Sequence, residues 1–145
     1  MEKELHSLEE VSIAAAGFSE ILAPKESGAT LVTLSGELGA GKTTFTQGVA
    51  RALGVEGAVT SPTFVLMKIY QLPESKAFKR LVHIDAYRLQ GGKELSPLGF
   101  DEVLADSGNL ILLEWPEQVE DGLPHADHAL RLEVLGEGSR KLIYG

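Results

Sequence analysis

The stretch Gly36-Glu37-Leu38-Gly39-Ala40-Gly41-Lys42-Thr43 fits the phosphate-loop pattern G-x-x-x-x-G-K-[ST] at every fixed position. Glycines at these positions let backbone N–H groups turn toward a polyphosphate without a clash from a Cβ atom. The lysine supplies a charge for the β- and γ-phosphates, and the Thr43 hydroxyl is a ligand for Mg²⁺. The stretch, together with Thr44, therefore predicts a site for ATP or ADP with Mg²⁺.

The segments on either side of this loop occur in the order that phosphate binding requires. Residues 29–34 are rich in β-formers and predict a strand that leads directly into the loop. Residues 42–53 favour a helix, and Gly54 follows as a good C-terminal cap. A helix that begins at Lys42 directs unsatisfied N–H groups and its positive dipole end at the phosphates. This context argues against a chance match to the pattern.

The remaining predicted elements indicate a single α/β domain over residues 1–145. Ser7-Leu8-Glu9-Glu10 is a capping box, and the apolar residues that follow have helical spacing as far as Leu22. The later part of the chain predicts strands at 64–70, 81–84 and 110–113, a short helix at 101–105, a loop at 91–99, and a hairpin formed by 129–134 and 140–144.

Two carboxylates stand at the ends of predicted strands. Asp85 follows residues 81–84, and Glu114 follows the fully apolar run 110–113, which is typical of a buried parallel strand. Ligands of open parallel sheets bind beyond the carboxyl ends of the strands, so we expect both side chains to face one crevice. With Lys42 they are the candidate catalytic residues. One would bind Mg²⁺ and the other would handle water, and the spacing leaves open which does which.

Further candidates lie near these segments. Ser61 and Thr63 follow the helix of the phosphate loop, where many P-loop proteins have a segment that senses the γ-phosphate. Arg88 could reach a phosphate or form an ion pair with the preceding carboxylate. Trp115 is expected either to be buried at the sheet edge or to contact a base or a partner. His83 alternates with apolar residues and is interpreted as a hydrogen-bonded core histidine.

Composition limits the classes of partner. The net charge is −8 and the 13 basic residues are scattered, which argues against independent binding to nucleic acid. The chain has no cysteine, so disulfides and thiolate metal sites are excluded. Neither a secretory signal nor a membrane-spanning run is visible, and we expect a cytoplasmic protein that does not bind a membrane.

Four segments together resemble the TsaE (YjeE) family of small bacterial ATPases, and their order, their spacing and the chain length match as well. The segments are the phosphate loop extended to Thr44, Ser61-Pro62-Thr63-Phe64, His83-Ile84-Asp85-Ala86-Tyr87-Arg88-Leu89, and Glu114-Trp115-Pro116-Glu117. The resemblance implies a three-layer P-loop NTPase fold with a mostly parallel central sheet and antiparallel edge strands. Glu37 stands where an aspartate is common in the family.

The same resemblance implies a function and a set of roles. Family members act with TsaB- and TsaD-type proteins in the threonylcarbamoyladenosine modification of tRNA beside the anticodon, with tRNA reached only through that complex. Hydrolysis of ATP, weak alone and stimulated by the partners, would reset the complex. By this likeness Thr43 and Glu114 would bind Mg²⁺ and Asp85 would lie near the γ-phosphate, its water and the metal. Ser61 and Thr63 would form the switch, and Trp115 would shape the site or the partner surface.

Three alternatives remain from the residues alone. A small-molecule or nucleotide kinase needs an arginine-bearing lid, and the five arginines here show no cluster. A GTPase would normally carry an Asn-Lys-x-Asp motif, which is absent. A nucleotide-dependent assembly switch with little hydrolysis would use the same residues as the ATPase.

No sequence motif identifies the adenine pocket. We expect it at the start of the first helix and at the C-terminal hairpin.

Overall fold

The computed structural model of the chain describes residues 1–57, 59 and 66–144. The strands are β1 (Glu2–Leu5), β2 (Thr30–Gly36), β3 (Met67–Gln71), β4 (Arg80–Asp85), β5 (Asn109–Glu114), β6 (His128–Gly136) and β7 (Ser139–Tyr144). The helices are α1 (Leu8–Ser19), α2 (Lys42–Ala52) and α3 (Phe100–Ala105). Within the described ranges, none of the helices has the length and apolar character that a membrane crossing requires.

The strands form a seven-stranded sheet in the order β1-β7-β6-β2-β5-β4-β3. Its centre is parallel, because β2 pairs in parallel with both β5 and β6, and β4 pairs in parallel with β5. The pairs toward the two edges, β3–β4, β6–β7 and β1–β7, are antiparallel. The predicted mostly parallel sheet with antiparallel edge strands is therefore confirmed.

Alternating residues of the central strands fill two separate cores, one on each face of the sheet. On one face, Val32 and Leu34 pack with residues of α1 and α2 such as Phe45. On the other face, Leu31 packs with the segment around α3, including Phe100. Because both faces of the sheet are covered, the fold has three layers.

The N-terminal helix begins as predicted and ends earlier than predicted. The Ser7 hydroxyl accepts a hydrogen bond from the Glu10 N–H at 3.1 Å, as expected for the capping residue. The helix ends at Ser19, and the Leu22 N–H bonds to the Ser19 carbonyl in a tighter turn. Leu22 is nevertheless buried. The apolar positions therefore continue beyond the end of the helix, and their spacing predicted a helix that was too long.

Three other differences concern local structure. Strand β1 was not predicted. The segment predicted as a strand at 64–70 corresponds to β3 at Met67–Gln71, and its first residues, 64 and 65, lie outside the described residues. The predicted loop at 91–99 contains two 3₁₀ turns, Gly92–Glu94 and Ser96–Leu98.

Helices α1 and α2 approach closely at Gly48, which gives a test of the packing. A Cβ atom on Gly48 would lie 2.7 Å from the Ala15 Cβ and 3.1 Å from the Ser12 carbonyl oxygen. We expect Gly48→Ala to lower the free energy of unfolding by about 1–3 kcal/mol, because the two helices must separate. Gly17→Ala is the control, since a Cβ on Gly17 meets nothing within 4 Å; it should stabilise α1 by about 0.5–1 kcal/mol. Urea unfolding measures both, and equal effects would contradict the close contact.

Candidate nucleotide-binding site

The loop between β2 and α2 has a backbone that requires glycine. Gly36, Gly39 and Gly41 have φ angles of 144°, 81° and 102°. These values lie in a region that side chains disfavour. A Cβ atom on Gly36 would also lie 2.4 Å from the Leu132 carbonyl oxygen. Because α2 begins at Lys42, immediately after the loop, its first N–H groups face the space that the loop encloses.

The ammonium group of Lys42 is held inside the loop. Its Nζ donates hydrogen bonds to the carbonyl oxygens of Gly36 at 2.5 Å and Glu37 at 3.0 Å. It also lies 3.9 Å from the centroid of the Trp115 ring, close enough for a cation–π contact. The residue is only 5% exposed. The positive charge is thus fixed beside the backbone groups that suit a phosphate.

The two strand-end carboxylates are directly opposite each other. Asp85 ends β4, Glu114 ends β5, and the two are paired in the parallel ladder. Their exposed fractions are 8% and 2%. The Asp85 Oδ1 accepts a hydrogen bond from the Tyr87 N–H at 3.0 Å, and the Glu114 Oε2 lies 2.5 Å from the His83 Nε2. Glu114 also pairs with Leu34 of β2. Both carboxylates therefore lie at the carboxyl-terminal end of the parallel strands, where the loop begins.

A cleft of about 470 Å³ joins the loop to the carboxylates. Its lining residues are Leu8, Leu38, Gly39, Gly41, Lys42, Thr43, Thr44, Asp85, Tyr87, Glu114 and Trp115. The cleft therefore brings together the start of α1, the loop, the start of α2 and the ends of β4 and β5. This is the size and concave form expected of a small-molecule site.

The cleft contains most of the candidates from the sequence, although Gly36, Glu37 and Ala40 of the loop are not among its lining residues. Arg88 is exposed on the turn after β4 and is not among the lining residues. Ser61 and Thr63 lie outside the described residues.

Two lining residues were not among the sequence candidates. Leu8 is the first residue of α1 and is exposed although apolar. Its exposure is seen only in the structure, and no sequence motif marks it. Tyr87 follows Asp85 in the turn and packs on the Trp115 ring, with the ring centroids 4.9 Å apart. Of the two places expected to hold the adenine pocket, the start of the first helix lines the cleft. Among the described residues, the C-terminal hairpin contributes no lining residue. Its Arg140 lies next to the loop, because a Cβ atom on Gly41 would be 3.3 Å from the Arg140 Nη1.

Trp115 forms one wall of the cleft through an unusual backbone conformation. Its φ angle is 63°, which is rare for a large side chain and costs free energy. The backbone N–H of Trp115 bonds to the Leu34 carbonyl at 3.2 Å, which ties it to β2. In this position the ring contacts both Lys42 and Tyr87. Trp115 is thus a residue of the cleft and is not simply buried at the sheet edge.

Burial lowers the pKa of the Lys42 ammonium below its ordinary value of 10.5, although Glu114, Glu117, Asp85 and Glu37 oppose the shift. The free protein therefore loses this charge at a lower pH than a solvated lysine would. If the ammonium binds phosphate, the affinity for ADP should fall as the pH rises through that lowered pKa toward 10.5.

This pH dependence can be measured by calorimetry between pH 7 and 10. Lys42→Arg is the control, because a guanidinium stays protonated throughout this range. Its affinity for ADP, whatever its value at neutral pH, should lack the alkaline decrease. A decrease of equal size in both proteins would show that another group causes it.

The residues present fit a nucleotide and Mg²⁺. Thr43, Asp85 and Glu114 offer a hydroxyl and carboxylate oxygens, the hard ligands that Mg²⁺ prefers. Among the described residues, no group of three or more His, Cys, Asp or Glu side chains could hold a metal ion alone. Magnesium usually binds to one or two carboxylates and to substrate phosphates, so this composition suits an ion that binds with the nucleotide.

Comparison with known proteins assigns the family. A sequence profile described as "Threonylcarbamoyl adenosine biosynthesis protein TsaE" matches residues 5–142. The chain belongs to the TsaE family. The resemblance found in the sequence is therefore confirmed, and with it membership of a family of tRNA threonylcarbamoyladenosine biosynthesis proteins.

Individual relatives extend the similarity over most of the chain. The TsaE protein of Streptomyces coelicolor is 50% identical over 105 residues, which are 72% of this chain and 67% of the relative. The TsaE protein of Rickettsia prowazekii is 36% identical over 137 residues, or 94% and 88% of the two chains. The crystal structure of Bacillus subtilis YdiB has a TM-score of 0.77 at 28% identity and covers 99% of this chain and 83% of its own. The P-loop NTPase fold implied by the TsaE resemblance is confirmed.

Proposed function

We propose that this protein binds ATP with Mg²⁺ and hydrolyses it. The observation that carries the proposal is that three groups lie together at the carboxyl-terminal ends of the parallel strands. The loop leaves β2, Glu114 ends the neighbouring β5, and Asp85 ends β4 next to it. A charged loop for phosphates that faces two buried carboxylates is the arrangement that phosphoryl transfer to water requires.

The residues of the loop would bind and orient the phosphates. The backbone N–H groups of residues 36–44 and the ammonium of Lys42 would contact the phosphate oxygens and stabilise the charge that develops on them. Leu8 and Leu38 are exposed apolar side chains at the cleft and would contact the nucleoside. Trp115 and Tyr87 would exclude bulk water from the side nearest Lys42.

The carboxylates would divide the remaining work. Thr43 and Glu114 would hold Mg²⁺, which neutralises phosphate charge when bound. Asp85 would orient the attacking water and could share in the metal's outer shell. The described part of the chain contributes no arginine to the cleft lining, which disfavours the kinase alternative. An assembly switch with slow hydrolysis would use the same groups, and the partner experiment below separates it from a free-standing ATPase.

We further propose that hydrolysis serves the threonylcarbamoyladenosine modification of tRNA through TsaB- and TsaD-type proteins. Family membership supports this step. The net charge of −8 supports a tRNA contact made by the partners and not by this chain. The switch role of Ser61 and Thr63 and a role of Arg88 at the site or the partner surface remain part of this proposal.

The test is a reconstitution with purified partners and tRNA. Phosphate release is measured from ATP with this protein alone, with the TsaB- and TsaD-type proteins alone, and with all three. We expect this protein alone to release phosphate slowly and the complete mixture to release it much faster. The mixture should also modify adenosine in tRNA over repeated turnovers. Modification that continues unchanged when this protein is omitted would refute the pathway role and leave nucleotide binding intact.

A further inference from the structure

His83 is fully buried in β4 and contacts the carboxylate at the end of the next strand. Its exposed fraction is 0%, and its Nε2 lies 2.5 Å from the Glu114 Oε2. The contact follows from the register, because Asp85 lies opposite Glu114 and His83 is two residues earlier on the same face of β4. The histidine predicted to be a hydrogen-bonded core residue therefore bonds to a residue that lines the cleft.

We propose that His83 is a positioning residue for Glu114. The imidazole donates its Nε2–H to the Oε2 of the carboxylate and so fixes the terminal torsion of Glu114, which is otherwise broad. The other oxygen, Oε1, is then the one directed at the metal and phosphates. This inference rests on the proposed function, because it assigns the support of a group that would hold Mg²⁺. Partners of this kind set the orientation and basicity of metal ligands.

The surroundings of His83 show that packing alone does not explain why a histidine occupies this position. Its other ring nitrogen, Nδ1, is buried and has no hydrogen-bond partner among the residues that the structure describes. The neighbouring buried positions Leu81, Val82 and Ile84 of β4 are all apolar. An apolar side chain of similar size would avoid burying an unpaired polar atom, which costs free energy. The bond to Glu114 is the interaction that an apolar residue could not make.

Two amide variants separate positioning from packing. The amide nitrogen of His83→Gln can reach the position of Nε2, whereas that of His83→Asn reaches only as far as Nδ1. Both variants bury an amide, so their costs to the fold are similar. Calorimetry of ADP binding with and without Mg²⁺ provides a readout that does not require turnover. We expect all three proteins to bind ADP alike without Mg²⁺. His83→Asn should lose about 10-fold or more of the Mg²⁺-dependent affinity, and His83→Gln should retain most of it.

A double-mutant comparison tests whether the effect passes through Glu114. In a Glu114→Ala background, His83→Asn should change neither the Mg²⁺-dependent affinity nor the turnover any further. A purely structural histidine would give the same factor in both backgrounds. That result, or equal Mg²⁺-dependent affinities for the Asn and Gln variants, would overturn the inference.

Nitrogen NMR of the wild-type protein tests the hydrogen bond without any variant. The His83 side chain should carry its proton on Nε2, and the signal should move when Glu114 is replaced by Ala. A proton only on Nδ1 would overturn the inference even if neither His83 variant folds. Absence of ATP hydrolysis by the wild-type mixture would instead refute the proposed function. The NMR and ADP-binding measurements would still test whether His83 positions Glu114.

Discussion

Lys42→Ala should reduce ATP turnover by about 10²–10³-fold, the typical cost of removing one preorganised electrostatic contact at a reacting centre. The ammonium is the positive charge that the loop encloses, and it is 5% exposed and bonded to two loop carbonyls. Nucleotide affinity should fall as well, because this contact is made before and during the reaction. Phosphate release in the complete mixture and calorimetry with ADP measure the two effects.

The control for this substitution is Lys93→Ala, which removes the same charge from an exposed residue outside the cleft. It should leave both quantities within about twofold, because an exposed charge far from the phosphates is screened by salt. Circular dichroism should show that Lys42→Ala remains folded. Wild-type turnover in folded Lys42→Ala would exclude this loop as the catalytic phosphate site.

Asp85→Ala should reduce turnover by about 10²-fold or more while changing ADP affinity by less than about fivefold. Asp85 lies at the end of β4, beside Glu114, where a water that attacks the terminal phosphate would be oriented. This contact matters only once the reaction begins, so the loss should appear in the turnover number. Single-turnover phosphate release and ADP calorimetry separate the two quantities.

Asp85→Asn shows whether this loss comes from the charge or from the turn. The asparagine keeps an oxygen that can accept the Tyr87 N–H bond, which Asp85 accepts at 3.0 Å. We expect turnover as low as in Asp85→Ala, because the negative charge is gone. Recovery in Asp85→Asn would mean that Asp85 only shapes the turn. If Asp85→Ala lost binding and kept its turnover number, the metal and water roles of Asp85 and Glu114 would have to be exchanged.

The sequence was most informative where a local rule determines the structure. Glycine spacing specified the phosphate loop, since only glycine accepts the backbone of Gly36 beside the Leu132 carbonyl. The apolar run 110–113 indicated a buried parallel strand because both of its faces contact a core. Strand-end positions were enough to expect Asp85 and Glu114 in one crevice.

Features that depend on pairing between distant segments could not be predicted in the same way. Strand β1 is short and charged, its only buried residue is Leu5, and its pairing with β7 joins the two ends of the chain. The bond between His83 and Glu114 depends on the relative register of β4 and β5, which no local pattern specifies. Trp115 was recognised as a candidate, but its positive φ angle and its contact with Lys42 arise from tertiary packing.

Backbone amide NMR during a titration with ADP and Mg²⁺ tests most directly whether the glycine loop binds the phosphates. The amide signals of Gly39, Gly41, Lys42, Thr43 and Thr44 should show the largest shifts, because their N–H groups would donate to phosphate oxygens. Inorganic pyrophosphate should shift the same signals at higher concentration. Saturable shifts confined to another surface, or none at millimolar nucleotide, would contradict phosphate binding at this loop.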